Sequence, residues 1–288
     1  YGNTVETKKV NASKVLGYGD VPSQDFDMVF VDDKTIIVKT TAADYKTGDN
    51  QGSYDEDLSY KVIDSVYLDN LMPGKTYTIN GKLMNKATEQ PFLDANGNEV
   101  TGTTTFKAES KEQIVKVEFN FKGNLEGKST VVFEDLIEEG VTIYTHADIK
   151  DENQTVDYPK IRTKAQDSKT KDHVGTIAAT SSIIDTVKYS NLKVGNTYNV
   201  SGYLMDKDTG KPFLDANGNK ITAEKTFTAE TSDGSVDMTF TFDSSLLEDT
   251  TLVVFEDVFY NGVKVATHSD IGDEEQSIHY IKLRTTAK

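Results

Sequence analysis

The chain contains no cysteine, which excludes disulfides and thiolate metal ligands. No apolar run is long enough to cross a bilayer, and no stretch sustains a helical apolar period. Basic residues are in deficit, with 31 Lys and Arg against 47 Asp and Glu, for a formal net charge of −16. That balance would repel the phosphates of nucleic acid and of anionic membranes, so neither is expected as a partner. It describes a solvated surface instead. No signal peptide is visible at Tyr1 and no sorting signal at Lys288, so a segment of a longer protein is expected.

What is present is a strand pattern. Short runs of Val, Ile, Thr, Tyr and Phe alternate with period two between Gly and Asn turn signals. In the run Thr197–Leu204, for instance, Tyr198, Val200 and Leu204 share one face, as Tyr77, Ile79 and Leu83 do earlier. The fold class expected is all-β, as two tandem immunoglobulin-like β-sandwich domains.

Two domains follow from a repeat. FEDLIEEGVTIYTHADIKDENQ, Phe133 to Gln154, returns as FEDVFYNGVKVATHSDIGDEEQ, Phe255 to Gln276. YKVIDSVYLDNL at Tyr60–Leu71 matches SSIIDTVKYSNL at Ser181–Leu192, and PFLDANGN is identical at Pro91–Asn98 and Pro212–Asn219. The expected boundaries are residues 36–161 and 162–288, with 1–35 left as a lead-in or an extra strand pair. Arg284-Thr285-Thr286-Ala287 resembles the opening of a further copy from about residue 284, so a tandem array is expected. Asp94, Asn96 and Asn98 tempt one to place calcium, but Gly97 comes too early and Thr105 stands where a bidentate Glu belongs. Asn-Gly between strands reads as a hairpin turn.

Strand parity tells which polar residues look inward. Thr163 shares a face with Ile161 and Ala165, and Thr40 with Ile36, Val38 and Ala42. Asp185 lies with Ile183, Val187 and Tyr189, and Asp64 with Val62, Val66 and Leu68. Gln276 keeps company with Ile278 and Tyr280, and Gln154 with Val156 and Tyr158. Parity places neither Glu134 and Glu256, because both faces of their strands are largely apolar, nor His146 and His268, which sit near a turn. Any one of these groups alone would be read as a hydrogen-bonded core polar residue; the whole set repeating at matched spacing points to chemistry. His173 and His279 have no counterparts and are taken as surface residues.

A hydroxyl, a base, a pair of acids and an amide carbonyl suit acyl transfer. Attack of a threonine hydroxyl on a glutamine side-chain amide would release ammonia and leave an ester. Both reactants are weak, so fixed orientation and water exclusion must supply most of the rate, with acid–base help from His. Two buried carboxyls close together would share a proton, leaving one neutral enough to polarise the amide.

These residues resemble the Thr–Gln ester-bond domains, or VaFE repeats, of Gram-positive surface adhesins. The resemblance rests on the opening Lys/Arg-Thr-x-Ala, on Ile-Asp-x-Val, on Val-Val-Phe-Glu-Asp, and on Thr-His-x-Asp-Ile with Gln eight residues past the His. It implies that Thr40 is joined to Gln154 and Thr163 to Gln276, assisted by Asp64, Glu134 and His146 in the first copy and by Asp185, Glu256 and His268 in the second. It further implies a structural shaft on the cell wall, extracellular, with no cofactor and no turnover activity. Its partners would be neighbouring repeats, the chain a monomer, and any host ligand would be held by other domains.

Three other readings compete. Sandwich loops could bind host glycan or matrix protein, although these loops are short and lack aromatic clusters. An Asp–Glu pair could hydrolyse glycosides, but that needs an open groove, and one His per copy is little for zinc. A Lys–Asn isopeptide bond could use Lys39, but Arg162 occupies its place in the second copy.

Overall fold

The computed structural model describes residues 6–11, 25–30 and 35–282. Arg284 to Ala287, the candidate opening of a further copy, lies outside them. Strands β1 (Glu6–Asn11) and β2 (Asp25–Phe30) pair antiparallel, with Glu6 opposite Phe30, so the lead-in contains an extra strand pair.

The first sandwich is built from β3 (Ile37–Asp44), β4 (Ser59–Asp69), β5 (Thr76–Asn85), β6 (Gln90–Pro91), β7 (Thr101–Lys107), β8 (Gln113–Lys122), β9 (Ser129–Glu138), β10 (Val141–His146) and β11 (Thr155–Asp157). One sheet runs β3-β4-β8; the other runs β10-β9-β5-β6, with β11 also on β9 and β7 also on β5. The second sandwich repeats the plan with β12 (Lys160–Asp167), β13 (Ser181–Ser190), β14 (Thr197–Asp206), β15 (Lys211–Pro212), β16 (Thr222–Thr228), β17 (Gly234–Phe242), β18 (Thr250–Tyr260), β19 (Val263–His268) and β20 (Ser277–Tyr280). Its sheets are β12-β13-β17 and β15-β14-β18-β19, with β16 on β14 and β20 on β18. The all-β, two-sandwich class is therefore what the chain adopts. Burial alternates strictly along β4 and β8, because a two-sided strand packs one face and solvates the other. Each sandwich closes its own core, with Val62, Leu68 and Phe119 in the first and Ile183, Val200 and Phe240 in the second.

The repeated DANGN stretches are turns. Asp94 Oδ1 accepts from the backbone N–H groups of Asn96 and Asn98, both at 2.8 Å, and Gly97 sits at φ +83°. That carboxylate serves the loop's own backbone. Other turns set the site: β18 and β19 join through Asn261 and Gly262 at φ +48° and +78°, and β9 and β10 through Glu139 and Gly140 at +51° and +79°. Two successive positive φ values twist a tight hairpin in the sense its strands require. Each hairpin then slips by one residue, between Thr142 and Tyr144 and at Val258–Phe259, and so brings His146 opposite Glu134 and His268 opposite Glu256.

Candidate functional site

Each first strand lies at the free edge of the three-stranded sheet, and each last strand at an edge of the facing sheet. Thr40 is on β3, and Gln154 ends a single 3-10 turn (Glu152–Gln154) that leads into β11. A side chain bridging these two therefore spans the sandwich. Gln154 is fully buried, and its Nε2 donates to Thr40 Oγ1, to Glu134 Oε1 at 3.1 Å and to Asp64 Oδ1 at 3.2 Å. All four residues meet at one point although up to 114 residues separate them in sequence.

The second domain repeats the cluster. Gln276 ends the turn Glu274–Gln276, and with its amide oriented to satisfy both polar atoms, Oε1 accepts from Thr163 Oγ1. Its Nε2 then donates to the Val254 carbonyl and to Glu256 Oε2 at 3.3 Å. Thr163 is buried, with 7% of its surface exposed, and Thr40 is half-buried. Asp185, opposite Ala165 on β12 and Met238 on β17, is fully enclosed. The inward parity of the Thr, Asp and Gln residues thus corresponds to six side chains that converge in two groups of three.

The acids are held away from their ordinary charge state. Burial raises Asp64 to about 7 and, with the neighbouring Asp64 charge, raises Glu134 to about 9. In the second domain burial lifts Asp185 to about 6, while burial and Asp185 together lift Glu256 well above the carboxylate range. In both domains the Glu is the stronger proton holder. Gln154 Oε1, Asp64 Oδ2 and Glu134 Oε2 are buried with no protein partner. A proton on the carboxyl pair supplies one of the missing donors.

Glu134 and Glu256 occupy matched places: opposite Gly81 and His146 in one, Gly202 and His268 in the other. A Cβ on Gly81 would meet the Phe119 ring at 2.5 Å, and one on Gly202 would meet Met238 at 2.6 Å. The bare backbone lets the opposite sheet close over each carboxyl.

Sequence reasoning missed Asp151 and Asp273. His146 Nε2 lies 3.0 Å from Asp151 Oδ2, and His268 Nε2 is hydrogen-bonded to Asp273 Oδ2 at 2.9 Å. The other oxygen of each aspartate caps the 3-10 turn carrying the Gln, accepting from Asn153 N at 2.8 Å and Glu275 N at 2.9 Å. The signal was available: Asp five residues after His and three before Gln occurs in both copies. His173 and His279, taken as surface residues, are half-buried; His173 Nδ1 lies 2.9 Å from the Ser277 carbonyl, and His279 Nδ1 lies 3.0 Å from Thr251 Oγ1. Lys39 is exposed, on the face of β3 opposite the cluster, with its ammonium 6.0 Å from the Tyr67 ring centroid.

A sandwich that brings a threonine hydroxyl and a glutamine amide together between its sheets, beside a proton-sharing carboxyl pair, belongs to the class of β-domains equipped to cross-link themselves. The T-Q ester bond containing domain model matches residues 36–158 and again 159–280, so the chain belongs to that family and carries two of its domains. Among curated proteins none matches the sequence. Among solved structures, a bacterial adhesin from Mobiluncus mulieris containing intramolecular disulfide, isopeptide and ester bond cross-links is 15% identical, with 78% of this chain and 81% of that one covered and a TM-score of 0.36. The C-terminal domain of the Streptococcus pyogenes antigen I/II-family protein AspA is 9% identical, covering 85% and 99%, at 0.38. The C-terminal domain of the Streptococcus agalactiae polypeptide BspA is 11% identical, covering 84% and 100%, at 0.37. These are distant look-alikes, and nothing about this chain's ligands follows from them.

Proposed function

We propose that each domain forms one ester, Thr40 to Gln154 and Thr163 to Gln276, and that the two bonds make the chain a load-bearing segment of a bacterial surface adhesin. The observation that supports this most is the direct contact of Thr hydroxyl and Gln amide beside a neutral-leaning Glu, present twice. In each site Thr Oγ1 attacks Gln Cδ, the hydroxyl proton is passed to the departing nitrogen, and the products are the ester and one ammonia. A protonated Glu134 or Glu256 stabilises charge developing on the amide. His146 and His268, steadied by Asp151 and Asp273, move the proton. A surface cleft lined by Gly81, Glu134 and His146 lies beside the first site. Each site reacts once, so no substrate turns over. Burial that favours the reaction also keeps water from the ester.

Such a bond joins the first strand of a domain to its last. Load entering at Thr40 would leave at Gln154 through covalent bonds, and only residues 155–162 separate that point from Thr163. The segment would be extracellular and monomeric, in contact with neighbouring repeats, with any host ligand held elsewhere in the protein. Among the described residues no helix is long and apolar enough to cross a membrane. Intact-mass measurement tests the chemistry: the folded chain should weigh two ammonia molecules less than its sequence. An unmodified mass in folded protein would sink the ester reading.

A further inference from the structure

The loop between β3 and β4, residues 45–58, reaches out of the first sandwich onto the second. At its centre Gln51 is fully buried. Its Nε2 donates to the carbonyls of Asp157 at 2.7 Å and Asn191 at 3.4 Å, and its Oε1 accepts from Lys193 N at 3.1 Å and from the Tyr198 hydroxyl. A glutamine side chain can make four hydrogen bonds, and here all four are made, one to its own domain and three to the next. Such a buried amide holds its partners in one arrangement, because any other leaves several groups unpaired.

The residues around it act in the same direction. Asp49 Oδ2 accepts from the Tyr260 hydroxyl at 2.8 Å, and Lys193 Nζ donates to Asn50 Oδ1 at 2.9 Å. Tyr54 N donates to the Lys264 carbonyl at 2.8 Å, and Arg162 pairs with Glu126 at 2.7 Å. The loop passes over the Tyr158 ring at Gly52, where a Cβ would lie 2.2 Å from ring carbon.

The repeat supplies a control within the chain. The second domain folds the same loop, with Val174 bridging His279 as Gln51 bridges Asp157. There the sequence is Asp172-His173-Val174 in place of Asp49-Asn50-Gln51, and Val174 is exposed. The receiving face differs as well: the places of Lys193 and Tyr260 are taken in the first domain by Met72 and Glu138. A loop carrying Asp49 would meet a carboxylate there. Gln51 is therefore not needed to fold the loop, whereas Asp and a polar neighbour recur, Asn50 Nδ2 donating to the Thr155 carbonyl where His173 Nδ1 faces that of Ser277. The triplet as a whole matches the second domain's face while mismatching the first's.

We propose that Asp49, Asn50 and Gln51 form a domain-specific coupling that fixes the second sandwich at one orientation to the first, making the pair a single rigid rod. Adjoining domains in one chain otherwise move relative to each other by default. The proposal does not depend on the ester bonds; an intact mass showing no ammonia loss would sink the cross-link and leave this coupling standing.

The absence of cysteine allows a direct test. Lys107→Cys and Lys225→Cys, at exposed positions on separate domains, would carry nitroxide labels for pulsed electron spin distance measurement on the full chain. The parent should give one narrow distance distribution. Asn50→His with Gln51→Val, the residues the second domain already folds with, should broaden it roughly twofold or more. Tyr198→Phe, made on the opposite side of the contact, should broaden it in the same direction while the chain's deficit from its calculated mass stays that of the parent. A parent distribution already broad overturns the proposal, and so does a loop variant as narrow as the parent.

Discussion

Replacing Thr163 with Ala isolates the consequence of one bond. The side chain is buried on β12 opposite Val187, so Ala occupies the same inward position with little loss of packing. The hydroxyl's hydrogen bond to Glu256 Oε2, 3.3 Å in the unreacted site, is already gone from a cross-linked parent, because an ester oxygen carries no proton. The ester itself would close a loop of about 110 residues, for which the chain-entropy model gives roughly 5 kcal/mol. The bond therefore dominates the change. For a domain of this size about 1 kcal/mol moves the midpoint by about 4 °C, so the second domain's transition should fall on the order of 20 °C. Under load the difference is larger in kind. The variant's second domain should lengthen by on the order of 400 Å on unfolding, whereas the parent stays short until a covalent bond breaks. Calorimetry and single-molecule pulling read the two effects. Gln276→Ala should reproduce both, and the double variant should add little, because two changes that delete one bond cannot each delete it. Equal extension in parent and Thr163→Ala, or fully additive midpoint losses, would refute the assignment of Thr163 to Gln276.

Other outcomes follow from the same geometry. Asp273→Asn should leave the second domain folded but slow its cross-link by about tenfold or more, as should His268→Ala, with the first domain unaffected; time-resolved intact mass decides, and normal rates would make the His–Asp pair merely structural. The rate of ester formation in the first domain should fall as pH rises through about 9, because Glu134, raised by burial and by Asp64, then loses its proton. A stability effect of the same sign is expected in Thr40→Ala, which cannot cross-link. A folded-state carboxyl pKa above the unfolded value contributes stability that is fully present below the unfolded value, near the ordinary pKa of about 4. That contribution is lost as pH rises through the folded values of about 7 for Asp64 and about 9 for Glu134. Denaturant melts of Thr40→Ala should therefore weaken progressively from about pH 4 to about pH 9, and adding Glu134→Gln should flatten the upper part of the trend; an unchanged trend would show that Glu134 does not carry the proton.

Much of this protein was legible in one dimension. Alternation in runs such as Tyr60–Leu71 marks a half-buried strand because side chains on a strand point to opposite faces. The same rule aimed Thr163, Asp185 and Gln276 inward with no knowledge of their partners, and the repeat turned three isolated inward polar residues into a set. Parity failed at Glu134 and Glu256, whose strand is apolar on both sides. It failed at His146 and His268 because each hairpin slips by one residue, which inverts the face of everything beyond the slip. Asp151 and Asp273 were overlooked because a capping aspartate reads as turn chemistry until its second oxygen is seen against the imidazole. Gln51 is the extreme case: in sequence it is one polar residue in a Gly- and Asp-rich loop. Its burial depends on a surface contributed by residues more than a hundred positions away. Local periodicity determined the strands and their inward faces, since these depend only on neighbours along the chain. Tertiary structure decided which inward groups meet and how one domain seats on the next, since those contacts depend on closing the sheets over one another.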